Sequence, residues 1–112
     1  MDQQRQLETQ LEAANRAPRR VRRQALVREI NVQIARLQLQ APHRAHAALI
    51  GLLCECGDAD CIAEIQISPA AFDAARLGPT TFLVSPGHEL RDGTETVLER
   101  DADYAVIRKK TR

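Results

Sequence analysis

The chain has 112 residues and a formal net charge of only +1, and 44% of its residues are hydrophobic while 3% are aromatic. This length allows one domain plus at most an appendage, with a small core built mainly from aliphatic side chains. The sequence has no apolar run of about 18 residues, so we expect no membrane span. Met1 is followed by Asp2 and two glutamines rather than by a basic and then an apolar stretch, so we expect no signal peptide. We therefore expect a cytoplasmic location.

The small net charge hides an uneven distribution along the chain. Residues 1–46 hold nine arginines and four acids, a net charge of +5, whereas residues 47–112 hold seven basic and eleven acidic side chains, a net charge of −4. The two parts therefore carry opposite charge. This asymmetry predicts that the N-terminal part contacts an anionic partner, the acidic part of its own chain or another copy.

The N-terminal part is predicted to be helical. Residues 3–16 are good helix formers with a thin apolar stripe, so we expect a frayed extension that ends or restarts at Pro18. Residues 19–40 contain neither Gly nor Pro, and their apolar residues recur in steps of three and four, which predicts a long helix. Its predicted buried stripe comprises Val27, Ile30, Ile34, Leu37 and Ala41. The first four also form the predicted helix interface, because further apolar residues off the stripe favour a protein partner or a homodimer.

The C-terminal part is predicted to be a small α+β body. Its predicted elements are strands over residues 47–54 and 62–67, a short helix over 68–77, a strand over 81–84 and a terminal hairpin over 96–99 and 104–108. The cysteine-rich segment would then be the turn of a hairpin, the usual setting of a metal knuckle. The predicted fold is α+β, with a long N-terminal helix, a small mixed sheet with a zinc-knuckle-like hairpin and one short helix. We expect a basic helical arm over residues 1–42 and a metal-stapled body over residues 43–112.

All three cysteines lie in the segment CECGDADC at residues 54–61. Three cysteines within eight residues of a cytoplasmic protein favour metal ligands or reactive thiols over disulfides. His88 follows a Pro-Gly turn after a predicted strand, which makes it the best fourth ligand. Cys54, Cys56, Cys61 and His88 would form a closed structural zinc site.

Several alternatives to this ligand set remain open from the sequence. The fourth ligand could instead be His43, His46, Asp58 or Asp60. The cysteines could hold an iron–sulfur cluster, or they could be unligated while His88 is an ordinary loop residue.

The motifs REINVQI (28–34), CECGDADC (54–61), ISPAAFDAARLGPTTFLVSPGHE (67–89) and ETVLERDADYAVIRKK (95–110) occur in this order. Together they resemble a group of small, uncharacterised actinobacterial proteins with a REVNERI-like helix, a CECxDxxC turn, a PGHE motif and a terminal hairpin. The resemblance covers residues 28–110 and implies that Cys54, Cys56, Cys61 and His88 occur together. It implies no activity.

A cluster of six arginines precedes and begins the long helix. Its members are Arg16, Arg19, Arg20, Arg22, Arg23 and Arg28. Such a cluster can contact phosphates, but no aromatic residues interleave to stack bases, so a solvated or protein-contacting face is favoured over nucleic-acid binding.

The predicted function is that of a non-enzymatic zinc-binding module. Three thiolates leave zinc electron-rich, and catalytic zinc sites usually contain more histidine, so we predict no catalysis and no small-molecule substrate. The helical arm would serve a protein partner or self-association in a regulatory or adaptor role. The alternatives are a nucleic-acid or ribosome-associated factor and a thiol or zinc redox sensor.

Overall fold

The computed structural model describes residues 2–40, 49–76, 78 and 80–110, with side chains from residue 18 onward. Its elements are α1 (Asp2–Gln40), β1 (Ile50–Leu53), β2 (Glu64–Ile67), α2 (Pro69–Ala75), β3 (Thr81–Val84), β4 (Glu95–Arg100) and β5 (Ala105–Lys109). This order confirms the predicted α+β class. Ala41, His43 and His46, which the predictions name, lie outside the described part of the chain, and so do residues 47, 48 and 77 at the ends of predicted elements.

The helix α1 runs without interruption through Pro18, where the sequence predicted an end or a restart. Proline lacks the backbone N–H that bonds to the fourth preceding carbonyl, and it normally costs a helix interior about 3 kcal/mol. Here one such bond is missing from a helix of 39 residues, and the residues next to the proline are mainly alanine and arginine. The favourable neighbours allow the helix to continue.

The five strands form two antiparallel sheets rather than the single mixed sheet that we predicted. One sheet is the hairpin β1–β2, which pairs Leu52 with Ile65, and the other has the strand order β3–β5–β4. Neither sheet contains a parallel pair, which would need a long crossover connection. The cysteine-rich segment joins β1 to β2, so the predicted cysteine hairpin is confirmed.

Two apolar clusters lie between these elements. The larger cluster joins the inner face of the hairpin β1–β2 to α2, to Leu83 and to Tyr104. Ser68 caps α2 at the predicted start of the short helix, because its hydroxyl oxygen accepts a hydrogen bond from Ala71 N, and Phe72 is buried. The smaller cluster packs Cys54 and Cys56 with apolar residues of β3 and β5. The cysteines are therefore part of the hydrophobic core.

The buried face of α1 is mainly polar, which the sequence did not predict. Its fully buried residues include Gln24 and Asn31, whereas Leu37 of the predicted stripe is 70% exposed and Ile30 is 39% exposed. The predicted stripe thus lies at the margin of the buried face, where Val27 and Ile34 are half-buried.

Side-chain amides of α1 pair with the backbone along the edge of β1 that β2 does not cover. Asn31 accepts a hydrogen bond from Leu53 N at 2.9 Å and donates one to Leu53 O at 2.8 Å. Gln38 makes the same reciprocal pair with Gly51, at 3.2 and 2.9 Å. Polar residues face inward because an edge strand presents backbone groups that must be paired. Within the described residues, no helix is both long and apolar enough to cross a membrane.

Candidate metal centre

The structure brings together the four predicted ligands. Cys54 directly follows β1, Cys56 and Cys61 lie in the loop to β2, and His88 lies in the turn after β3. Their three sulfurs and one imidazole nitrogen all lie within 4.8 Å of one another. The cluster contains neither Asp58 nor Asp60, whose side chains are exposed.

The two distances from the imidazole to sulfur match those of a tetrahedral zinc site. The Nδ1 atom of His88 lies 3.5 Å from Cys54 Sγ and 3.5 Å from Cys61 Sγ. Zinc–sulfur bonds near 2.3 Å and zinc–nitrogen bonds near 2.05 Å place nitrogen and sulfur about 3.6 Å apart on the edge of a tetrahedron. The four side chains can therefore hold a metal ion such as zinc.

The knuckle loop is held in shape by local hydrogen bonds. Asp58 O accepts a hydrogen bond from Cys61 N at 3.2 Å, and its carboxylate accepts one from Asp60 N at 2.9 Å. Gly57 adopts a φ of +81°, a conformation that costs any residue with a Cβ. Asp58 is therefore a turn former, and its hydrogen bonds direct Cys61 back toward the other two cysteines.

The turn that carries His88 contributes a second link to the cysteines. His88 N donates to Ser85 O at 3.0 Å, and Gly87 between them has a φ of +85°. Ser85 N in turn donates to Cys54 Sγ at 3.2 Å. A backbone N–H aimed at sulfur favours the thiolate, as contacts around known metal ligands do.

Without a cation, burial favours the protonated thiols of Cys54 and Cys56. Burial raises the pKa of Cys54 to about 12, and the hydrogen bond from Ser85 N offsets only part of that effect. Burial likewise raises the pKa of Cys56. A divalent cation supplies the charge that stabilises buried thiolates, and with three thiolates and a neutral imidazole, zinc would leave a net charge of −1.

The knuckle loop is also the docking site of α1. Arg20 Nε donates to Cys56 O at 2.9 Å, and Arg23 donates to Gly57 O at 2.9 Å. A Cβ atom on Gly57 would lie 2.6 Å from Gln24 Cγ and 2.7 Å from Arg20 O. Helix and loop therefore pack in direct contact, with no room for a side chain between them.

A buried carboxylate between two of the clustered cysteines was not predicted from the sequence. Glu55 is fully buried and forms an ion pair with Arg76. Its carboxylate also accepts hydrogen bonds from Asn31 Nδ2 at 2.7 Å and from Leu83 N at 2.8 Å. It connects the knuckle to α1 and to β3. The spacing of seven residues between Gln24, Asn31 and Gln38 was the available sign of the polar helix face.

The six arginines of the predicted cluster have different surroundings. Arg20 and Arg23 bind the knuckle, and Arg28 donates to Thr81 O at 2.9 Å and Gly78 O at 2.8 Å. Arg19 and Arg22 are exposed. The side chain of Arg16 lies outside the described part of the chain. Half of the cluster therefore contacts the chain itself.

Comparison with known proteins found no relative of this chain. No protein-family model matches this chain, and no curated protein or solved structure matches it either. The resemblance to the small actinobacterial group therefore stays a prediction. The function must be argued from the geometry alone.

Proposed function

We propose that this protein is a non-enzymatic zinc-binding module in which a closed site fixes the knuckle against α1, so that α1 can present a face to another protein molecule. The observation that carries the proposal is the cluster of Cys54, Cys56, Cys61 and His88 within 4.8 Å. Three thiolates and one imidazole complete a tetrahedron and leave no open position, which is typical of structural rather than catalytic zinc.

The metal would act through the backbone of the knuckle. Binding to a structural site of this kind is worth on the order of 10 kcal/mol, as much as the whole stability of a small domain. The carbonyls of Cys56 and Gly57, which receive Arg20 and Arg23, belong to the same loop as the ligands. Zinc would therefore hold in place the surface on which α1 docks.

The face offered to a partner would be the exposed apolar stripe of α1. Leu26 is 60% exposed, and together with the exposed Ile30 and Leu37 it follows steps of four and seven residues. At 3.6 residues per turn these three side chains lie within about 40° of one another around the helix axis. Steps of this kind suit packing against a second helix, and a second copy of the chain can supply one.

The metal site is tested by elemental analysis of protein purified without an affinity metal. We expect one zinc per chain in the wild type, loss of zinc in Cys61→Ser and weaker retention in His88→Ala. His43→Ala and His46→Ala serve as matched controls that should keep the full zinc content. Folded, reduced wild-type protein with no stoichiometric metal would overturn the proposal.

The helix face is tested by measuring molar mass in solution. Leu26→Glu and Leu37→Glu should shift a dimer to the monomer, whereas Leu98→Glu places the same charge at a residue of β4 that is 46% exposed and should leave the mass unchanged. A wild-type protein that remains monomeric at high concentration would rule out self-association and leave the stripe for another protein.

A thiol or zinc sensor is the second candidate function, favoured by one observation. Cys61 is partly exposed, whereas Cys54 and Cys56 are buried, so an oxidant can reach one ligand from solvent. Zinc release by peroxide at neutral pH would support this candidate, and retention would support a purely structural role. Nucleic-acid binding has weaker support, because Arg20, Arg23 and Arg28 already bind backbone carbonyls.

A further inference from the structure

A cleft of about 720 Å³ lies where α1, the knuckle loop and the end of β5 meet. Five basic side chains from these separate parts of the chain line it, namely Arg19, Arg20, Arg23, Lys109 and Lys110. Two acids, Asp58 and Asp92, also line it. The cleft therefore carries an excess of positive charge in a chain whose net charge is close to zero.

Two of the three arginines of the cleft are held in place without being neutralised. Arg20 and Arg23 each donate to an uncharged backbone carbonyl, and each guanidinium keeps further N–H groups for a ligand. Elsewhere in the molecule Arg76 and Arg100 pair with carboxylates. An arginine fixed by a neutral acceptor loses little entropy when it binds an anion and keeps its full charge.

The two carboxylates of the cleft accept hydrogen bonds from residues of their own turns. Asp92 Oδ1 accepts hydrogen bonds from Thr94 N at 2.9 Å and Thr94 Oγ1 at 2.6 Å. Asp58 Oδ1 accepts one from Asp60 N. Lys109 pairs with Glu95 at 3.1 Å. Within the described part of the chain, Arg19 and Lys110 have no carboxylate partner within ion-pair distance.

We propose that this cleft binds a small molecule that carries a phosphate group next to an apolar part. Guanidinium groups match the geometry of phosphate oxygens and bind them through paired N–H groups. Val21, Ala59 and Leu90 line the same space and offer apolar contact to the rest of the ligand. The volume lies within the range of roughly 300–1,000 Å³ that is typical of small-molecule sites. This proposal does not depend on the function proposed above.

Phenyl phosphate is a suitable probe, because it joins one phosphate to one apolar ring. We would titrate it into full-length, zinc-loaded protein at constant ionic strength and follow backbone amide resonances by NMR. Saturable shifts are expected at the amides of Gly57, Ala59 and Thr94. Benzyl alcohol and chloride, added separately, should produce no saturable shift at these positions.

Matched charge variants then locate the site. The double variant Arg19→Gln/Lys110→Gln should weaken binding at least about tenfold, because it removes two charge-assisted contacts. The variant Arg22→Gln/Arg36→Gln removes the same charge from exposed helix positions that do not line the cleft and should bind as the wild type does.

Three results would overturn the proposal. They are the absence of saturable shifts, equal weakening by the two double variants, and an affinity for oligonucleotides that exceeds that for phenyl phosphate and rises with their length. The last result would assign the same charges to a nucleic acid instead. Zinc content is measured in every sample, so a failed metal site is distinguished from a failed ligand site.

Discussion

Replacing Gly57 with alanine tests whether the helix α1 and the knuckle loop form one packed unit. Two separate costs are expected. The φ of +81° is unfavourable for any residue with a Cβ and costs about 1–2 kcal/mol. The added methyl group would also lie 2.6 Å from Gln24 Cγ and 2.7 Å from Arg20 O. Overpacking of this kind costs about 1–3 kcal/mol. The total of about 2–5 kcal/mol is a large part of a small domain's stability.

Gly93→Ala is the matched control for this experiment. Gly93 has a φ of +86°, and a Cβ built on it meets nothing within 4 Å. Its replacement therefore carries the backbone cost alone. The difference between the two variants isolates the close contact between α1 and the loop.

The assay is urea unfolding of the zinc-loaded protein, with zinc affinity measured by competition against a chelator. We expect Gly57→Ala to lose about 1–3 kcal/mol more than Gly93→Ala and to bind zinc more weakly, because the loop cannot keep both its shape and its contact with α1. Equal losses in the two variants would refute direct packing of the helix on the loop.

Four further outcomes follow from the buried polar groups and the thiols. Asn31→Leu should cost about 1–3 kcal/mol for each backbone group of Leu53 left unpaired, measured by urea unfolding. Arg76→Met should cost about 3–5 kcal/mol, because it leaves the carboxylate of Glu55 buried without its cation, and Arg76→Met/Glu55→Leu should recover part of the loss. Zinc affinity should fall as pH falls, because burial raises the pKa of Cys54 to about 12 and zinc must displace the thiol proton. Calorimetry in buffers of different ionisation enthalpy should show that about two to three protons are released for each zinc bound. Metal-free protein should show the opposite trend and lose stability as pH rises above 9.0, the ordinary value for a thiol, because the folded state favours the protonated form.

The elements that local signals mark were predictable from the sequence. Ser68 and Pro69 mark the start of α2, and the cysteine-rich segment marks a turn between two apolar strands. The cluster of three cysteines and His88 was predictable for a related reason. Thiols and imidazole are uncommon and chemically distinctive, so their spacing carries information without knowledge of the fold.

The face of α1 that packs on the body could not be predicted from apolar periodicity. That method assumes that a helix buries hydrophobic side chains, and it therefore selected Ile30 and Leu37, which are exposed. The helix lies against a strand edge and a loop, whose backbone groups require hydrogen-bond partners. Asn31 and Gln38 serve that need, but each amide alone looks like a surface residue in the sequence.

The pairing of α1 with β1 also prevents strands of other copies of the molecule from pairing with this edge. Amides from Asn31 and Gln38 occupy the backbone groups of Leu53 and Gly51 that would otherwise accept another strand. If α1 lifts away, this edge becomes a template for strands from neighbouring chains, which is how ordered aggregates begin. A helix that stays docked is thus a safeguard against aggregation.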